Sequence, residues 1–414
     1  MHPVIRTGLL LAIASTATPA LARDLFESRI TVDMNTVVET TNSIVQLNEL
    51  FDDESLADLF PDDYTPDVSR VEGTVDLRGL AATLSYAADC SDLHFLVPTA
   101  GIDVTFSGAT RDESQEQFED WLKGQDIPDV SDLAITDLLQ AFVAHSPVEP
   151  VAGNPDSLES RMFAADLGLG TLGPFLKDFP DPSQRIPSLF KLDAELGYFA
   201  AGPYNGQTYD LELGFGWNIL RRLALVTDLE MLFNIIEGDA LAGHGTFGLG
   251  LQGRILDWWN LALVARAGLV GSIDVGALTA MFSVSAVNHM RFDLDGFRIE
   301  MKNMVGYSDT ATGFEIEGIE LDYDLTNVVL KNGLELSKAF PFGGGSRELR
   351  GKLFWTDSHY FVDELWLEHS DEIGLGLGLA SKSGVRSYDP INLDVSYVFG
   401  SSYDAVKFRF SFRY

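Results

Sequence analysis

The chain has 414 residues, with 62 acidic and 28 basic side chains and a net charge of −34. That balance excludes a nucleic-acid partner, because phosphates need Lys and Arg, and it argues against docking on anionic headgroups. A single cysteine, Cys90, excludes a disulfide-stapled scaffold.

Arg6, an apolar core at residues 9–14 and the triplet Ala20-Leu21-Ala22 follow the order of a secretory signal cut before Arg23. Residues 1–22 are therefore expected to be a signal peptide; the alternative is a buried N-terminal helix. The apolar core is too short to cross a bilayer, which takes roughly 20 apolar residues, and no later stretch reaches that length. No cysteine follows it closely, so a lipid anchor is not expected. Such a chain is periplasmic, secreted or a barrel. Its charge is uneven: residues 23–190 hold 32 acidic and 9 basic side chains, against 30 and 18 in residues 191–414.

Val37, Val38, Thr41, Ile44, Val45 and Leu47 recur at helical spacing. Residues 51–63, with Asp52, Asp53, Glu54, Asp58, Asp62 and Asp63, read as a solvated acidic loop without the ordered spacing and glycine of a calcium loop. Strand-like runs follow at 82–86, 93–97 and 102–106, the last two alternating as a hairpin does around 98–101. Thr110-Arg111-Asp112-Glu113 is a capping box for a helix that carries Phe118, Trp121 and Leu122 and stops at Gly124. Ser131 caps a second helix containing Leu133, Ile135, Leu138, Leu139 and Phe142. Asn154-Pro155 sets an N-cap before a proline at the first position of a third helix, which Gly168 ends. Residues 23–172 are thus expected to form a small acidic α/β domain, and 173–190 a linker.

From residue 191 the texture changes. Runs at 191–200, 208–217, 223–233, 246–254, 261–270, 280–293, 297–303, 321–330, 349–355, 373–380, 391–399 and 406–414 set apolar residues against polar residues or glycine. Strands of about ten residues with one apolar face are the signature of a transmembrane barrel. In hydrocarbon every backbone N–H and C=O must be paired, so strands span a membrane only as a closed sheet. The expected fold is mainly β: a transmembrane antiparallel β-barrel of about twelve strands over residues 191–414, preceded by the small α/β domain, with ten or fourteen strands as the neighbouring counts. Asn332-Gly333 reads as a hairpin turn or as part of one long strand, and 361–380 as one strand or two. A soluble β-sandwich would alternate too.

The last nine residues bear on that choice. Val406, Phe408, Phe410, Phe412 and Tyr414 share one face, and Lys407, Arg409, Ser411 and Arg413 the other. On a soluble protein the first face would be an adhesive edge; in a membrane wall it belongs in lipid. The strand resembles the C-terminal signature strand of bacterial outer-membrane β-barrel proteins, which ends at an aromatic residue. The resemblance implies a Gram-negative outer-membrane location, with membrane lipid and the barrel assembly machinery as partners. Tyr198, Trp217, Trp258, Trp259 and Trp355 are expected near strand ends, where aromatic girdles form.

The inward faces carry charge. Asp193, Glu195, Asp210, Glu212, Asp228 and Glu230 lie on the first three strands, and Arg254, Arg266, Arg291, Arg298, Lys302, Arg350, Lys352, Lys407, Arg409 and Arg413 on others. Closing the barrel brings Lys407, Arg409 and Arg413 beside Asp193 and Glu195. Two readings follow: ion pairing in a filled lumen, or a polarised pore that selects solutes. Catalysis finds little support among His94, His145, His244, His289, His359 and His369. Ser285 and His289 share a strand face but stand about 13 Å apart at strand spacing; Gly243-His244-Gly245 reads as a loop. No catalytic residue, metal ligand or cofactor is assigned. Asn154-Pro155 resembles the Asn-Pro segment near the start of hydrophobic-solute transporters of the long-chain fatty-acid type. Here Asp156 follows, where that family has small residues, and no binding residue is carried over. The expected function is porin-like passage of a small-molecule solute, with the N-terminal domain in the periplasm or plugging the lumen. The alternative is a structural or secretion-associated barrel anchoring that domain, and an outer-membrane hydrolase is a third reading.

Overall fold

The computed structural model describes residues 24–414 apart from 42–43, 129, 131–132, 173–187, 221, 238–239, 273, 295, 312–314, 317–318, 321–322, 341–346 and 382–389. The expected signal peptide, Ser131 and residues 173–187 of the expected linker lie outside the described residues.

The N-terminal part is built on an antiparallel sheet of β1 (Phe26–Val32), β2 (Asn35–Thr41), β3 (Val71–Leu77), β4 (Leu80–Tyr86), β5 (Leu93–Val97) and β6 (Ile102–Phe106), in the order β2-β1-β3-β4-β5-β6. Its helices are α1 (Ile44–Glu49), α2 (Asp53–Leu59), α3 (Arg111–Leu122) and α4 (Leu133–His145). Thr110 caps α3 by accepting from the Glu113 amide, and Gly124, at φ 81°, follows its end. Phe118 and Trp121 of α3 pack on Phe95 and Phe106 of the hairpin, with centroids 5.1 to 5.8 Å apart. Arg111 is buried and donates to the carbonyls of Ser69, Ala87 and Cys90, tying two connections to the start of α3.

Two local expectations are corrected. The helical spacing from Val37 resolves into strand β2 followed by α1, because the β-branched run pairs with β1 along its whole length. The acidic stretch is not a loop but α2: Asp52 accepts from the Ser55 amide, and Asp53 and Glu54 sit in the first turn, where the helix dipole favours them.

The C-terminal part is a closed antiparallel barrel of twelve strands. They are β7 (Ser188–Ala201), β8 (Tyr204–Leu220), β9 (Leu223–Ile236), β10 (Ala240–Leu256), β11 (Trp259–Ser272), β12 (Ala277–Leu294) and β13 (Phe297–Ala311). A small hairpin of β14 (Glu315–Ile316) and β15 (Ile319–Glu320) precedes β16 (Thr326–Phe340), β17 (Arg347–Val362), β18 (His369–Ser381), β19 (Ile391–Gly400) and β20 (Tyr403–Arg413). The expected runs fall on these strands, except that the one at 321–330 joins β16 only from Thr326. Asn332-Gly333 lies inside β16, and the 361–380 segment is the end of β17, a connection and β18. β20 pairs with β7 from Arg413 opposite Lys191 to Tyr403 opposite Ala201, and Tyr414 and Phe190 exchange backbone hydrogen bonds of 2.9 Å.

The outer face is apolar and open. Leu263 (60 % exposed), Leu393 (59 %) and Leu375 (55 %) stand on it with Phe247, Val284, Phe408 and Phe410. Leaving such a surface in water would be strongly unfavourable, whereas the paired wall satisfies its own backbone in hydrocarbon. Tyr198 and Trp217 lie near strand ends and Trp258 and Trp259 at one, but Trp355 sits in the middle of β17.

Both ends of the wall, Ser188 and Arg413, fall at the same end of the barrel, as an even strand number requires. The N-terminal part meets the opposite, far end. There the Trp366 amide donates to the Val143 carbonyl at 3.0 Å, and Gln140 donates to the Asp324 carbonyl at 3.2 Å. Arg78, from the turn after β3, forms a fully buried ion pair with Glu149 at 3.0 Å, and the Tyr323 hydroxyl donates to the same carboxylate at 3.2 Å. Burial pushes the Glu149 carboxyl above its ordinary range, with Arg78 opposing the shift.

Candidate functional site

Between the far end and the first barrel strand runs α5 (Leu158–Leu169), inside the lumen. Asn154 does not cap it: its side chain accepts from the Asp156 amide and donates to the Glu149 carbonyl, making a turn, and Ser157 takes the N-cap position. The helix passes Gly168 and ends at Leu169, about 18 Å long at 1.5 Å per residue. At the far end Asp156 holds Lys407 of β20 at 2.8 Å and accepts from Tyr403, while Tyr360 of β17 donates to Ser160 at 2.9 Å. Toward the C-terminal end Gln252 of β10 donates to the Gly170 carbonyl at 2.7 Å.

Two ion clusters fix the helix against the wall. Arg161 faces Glu195 at 3.0 Å, Glu230 at 3.5 Å and Asp210, so three strands converge on one guanidinium. Asp166 meets Arg266 of β11 at 2.7 Å and accepts from Ser283 and Ser285 of β12 at 3.1 and 2.7 Å. Arg266 also holds Asp228 at 2.8 Å, and Glu159 accepts from Ser308 at 2.6 Å. Gly268 and Gly306 make room: a Cβ on Gly268 would lie 2.8 Å from Leu158, and one on Gly306 would enter the Phe163 ring.

The expected lumen residues thus fall into groups. Glu195, Asp210 and Glu230 are joined by Arg161, and Asp228 and Arg266 by Asp166. Lys191 bridges Asp193 at 2.9 Å and Glu212 at 2.7 Å. Across the closing seam Arg409 stands opposite Glu195 and bonds it at 2.8 Å; Asp193 faces Ser411 instead. Lys407 lies diagonal to Glu195 at 3.8 Å. Arg254, Arg291 and Arg413 line a cavity of about 790 Å³ beside α5, together with Lys302, Arg350 and Lys352. Val406, Phe408, Phe410, Phe412 and Tyr414 alternate with the inward residues of β20 and its end.

Sequence reasoning missed Arg161, Asp166, Asp156 and Glu159. Glu159 and Arg161 lie two residues apart, so they project from nearly opposite sides of a helix. A helix on a soluble core confines charge to one side, and this departure is the available signal of a polar wall all around. His244 is not in a loop; it is buried within β10. Ser285 is engaged by Asp166, and His289 stands 3.1 Å from Glu300, so the two do not form a nucleophile and base.

No family model matches the chain, and no curated protein matches it. Solved structures that resemble it include the β domain of the Bordetella autotransporter BrkA, at 15 % identity over 56 % of this chain and 99 % of that one, with a TM-score of 0.40. The translocator domain of the autotransporter NalP from Neisseria meningitidis matches at 14 % identity over 62 % and 94 %, with a TM-score of 0.41. An outer membrane channel from Pseudomonas putida F1 matches at 10 % identity over 57 % and 100 %, with a TM-score of 0.36. The closed twelve-strand antiparallel wall with an apolar outer face is, by its own geometry, that of a transmembrane β-barrel. No residue's role in this chain is taken from these proteins.

Proposed function

We propose that the barrel is an anchor and conduit for its own N-terminal domain, which it holds at the outer surface of the membrane. The observation that carries this reading is the direction of α5. The sheet domain sits at the far end, the barrel wall begins and ends at the other, and the chain passes from one to the other through the lumen. A chain arriving from the periplasm leaves both ends of an even-stranded wall on that side. The domain at the opposite end has then crossed the barrel, and α5 marks its route. Phe408, Phe410, Phe412 and Tyr414 serve in this reading as the outward strand offered to the assembly machinery.

A peptide tag inserted at Met34, which is 92 % exposed between β1 and β2, tests the arrangement. Antibody should reach it on intact cells. Access only after permeabilising the outer membrane would place the domain in the periplasm and end the proposal. The cavity beside α5 supports a second reading, restricted solute passage; it requires measurable conductance of the whole protein with α5 in place.

A further inference from the structure

A row of polar side chains crosses the otherwise apolar outer face. Asn288, Asn303, Asn332, Asp357 and Asp371 occupy directly opposed positions on β12, β13, β16, β17 and β18. The amides hand on in sequence: Asn288 to Asn303 at 3.3 Å, Asn303 to Asn332 at 2.9 Å, and Asn332 to Oδ2 of Asp357 at 3.1 Å. The row ends at two carboxylates side by side, and like charges directly opposite on neighbouring strands repel. The next rung is His359 opposite His369, with stacked imidazoles 4.3 Å apart.

These four side chains converge. Oδ1 of Asp357 lies 3.0 Å from Nε2 of both His359 and His369, and Oδ2 of Asp371 lies 3.5 Å from Nε2 of His369. The ligand atoms of Asp357, His359 and His369 all lie within 4.8 Å of one another. The remaining oxygens are held from behind: Asn332 donates to one Asp357 oxygen, and the Trp355 indole donates to Oδ1 of Asp371 at 2.8 Å. Oriented donors around converging ligand atoms are the second shell that metal sites use. Two imidazoles and two carboxylates suit zinc or a related divalent transition cation in tetrahedral coordination.

We propose that Asp357, His359, His369 and Asp371 bind one divalent transition-metal cation at the outer rim of the barrel. The site staples β17 to β18 at the root of connection 363–368. That connection grips α4 and the lead into α5, through Trp366 to Val143 and Leu367 to Gly153, each at 3.0 Å. A cation here would neutralise the opposed carboxylates and stiffen the grip on the N-terminal domain. The proposal stands on the barrel wall alone and does not depend on which way the protein faces.

The test uses the whole folded protein in detergent micelles, stripped with a chelator and titrated with zinc and with cobalt(II). One equivalent of zinc should bind, and cobalt should give the intense visible absorption of four-coordinate geometry. H359N and H369N should each weaken zinc binding at least tenfold and bleach the cobalt spectrum, and N332A should weaken it about tenfold through the loosened carboxylate. H289N, in the lumen, should change neither. Zinc should also protect His359 and His369 of the unmodified protein from diethyl pyrocarbonate, read by mass spectrometry, which needs no variant to fold. No uptake of metal, zinc affinity in H359N and H369N equal to that of the unmodified protein, or absence of protection would each overturn the proposal.

Discussion

The two sides of the lumen carry the same alternating pattern and use it differently. Along β9–β13 the wall meets α5, and Arg161, Asp166 and Arg266 are buried against opposite charges. Along β16–β20 and the first part of β13, away from the sheet domain, Lys302, Arg350, Lys352 and Arg413 line open space. An inward charge is therefore structural or solvated according to what faces it, and the strand that bears it does not decide. A lumen filled where the helix meets the wall and open elsewhere lets a single helix be held firmly without packing the whole barrel.

The comparison breaks first at Arg161. Arg161→Ala leaves Asp210 and Glu230 without their cation and Glu195 with Arg409 and Lys407 only, and removing one partner from a buried ion cluster costs about 3–5 kcal/mol. The unfolding midpoint in denaturant should fall accordingly, with heat-modifiable migration lost at lower temperature. Adding Asp210→Asn and Glu230→Gln should restore part of the loss; a stable single variant would mean that the cluster does not hold the helix.

Two inward glycines sharpen the contrast. Gly268→Val drives a branched side chain into Leu158 and Met162 and should cost about 1–3 kcal/mol through overpacking. Gly333→Val on β16 points into the cavity, where the nearest atom to a new Cβ is 3.5 Å away, and should change stability by no more than about 0.5 kcal/mol. Equal effects in chemical denaturation would mean that α5 does not lie against β11.

The smallest expected effect is at Lys302, whose nearest carboxylate, Glu335, is 3.9 Å away at the cavity wall. Lys302→Gln should alter stability by less than about 1 kcal/mol, measured by the same unfolding curves. A loss comparable with that at Arg161 would show that the open side is packed as tightly as the helix side.

The barrel was far more legible than the domain before it. A strand facing lipid on one side and polar lumen on the other must alternate at every step, so each of the twelve runs declared itself locally, down to the inward Asp193 and Glu195 and the outward Phe408 and Phe410. In the N-terminal part β1 and β3 went unread, although Phe26, Ile30 and Val32 alternate, and 37–47 suggested one helix where the chain makes a strand and then a helix. There the deciding contacts are with sheet neighbours distant in sequence, which outweigh local spacing.

What the sequence determined by itself is the alternation and the terminal aromatic face, because each follows from a period of two along the chain, and it put the strand number at about twelve with ten or fourteen left open. The register of the seam needed the closed structure. A shift of two residues keeps every side chain on its proper face, yet it changes whether Asp193 or Glu195 meets Arg409. The course of α5 was likewise decided only in three dimensions. Nothing local to residues 158–169 says that Arg161 will meet acids from three strands, because the helix reaches them only when the wall encloses it. The register of the β17–β18 pair likewise brings Asp357 and His359 beside Asp371 and His369, which no spacing along the chain marks as one site.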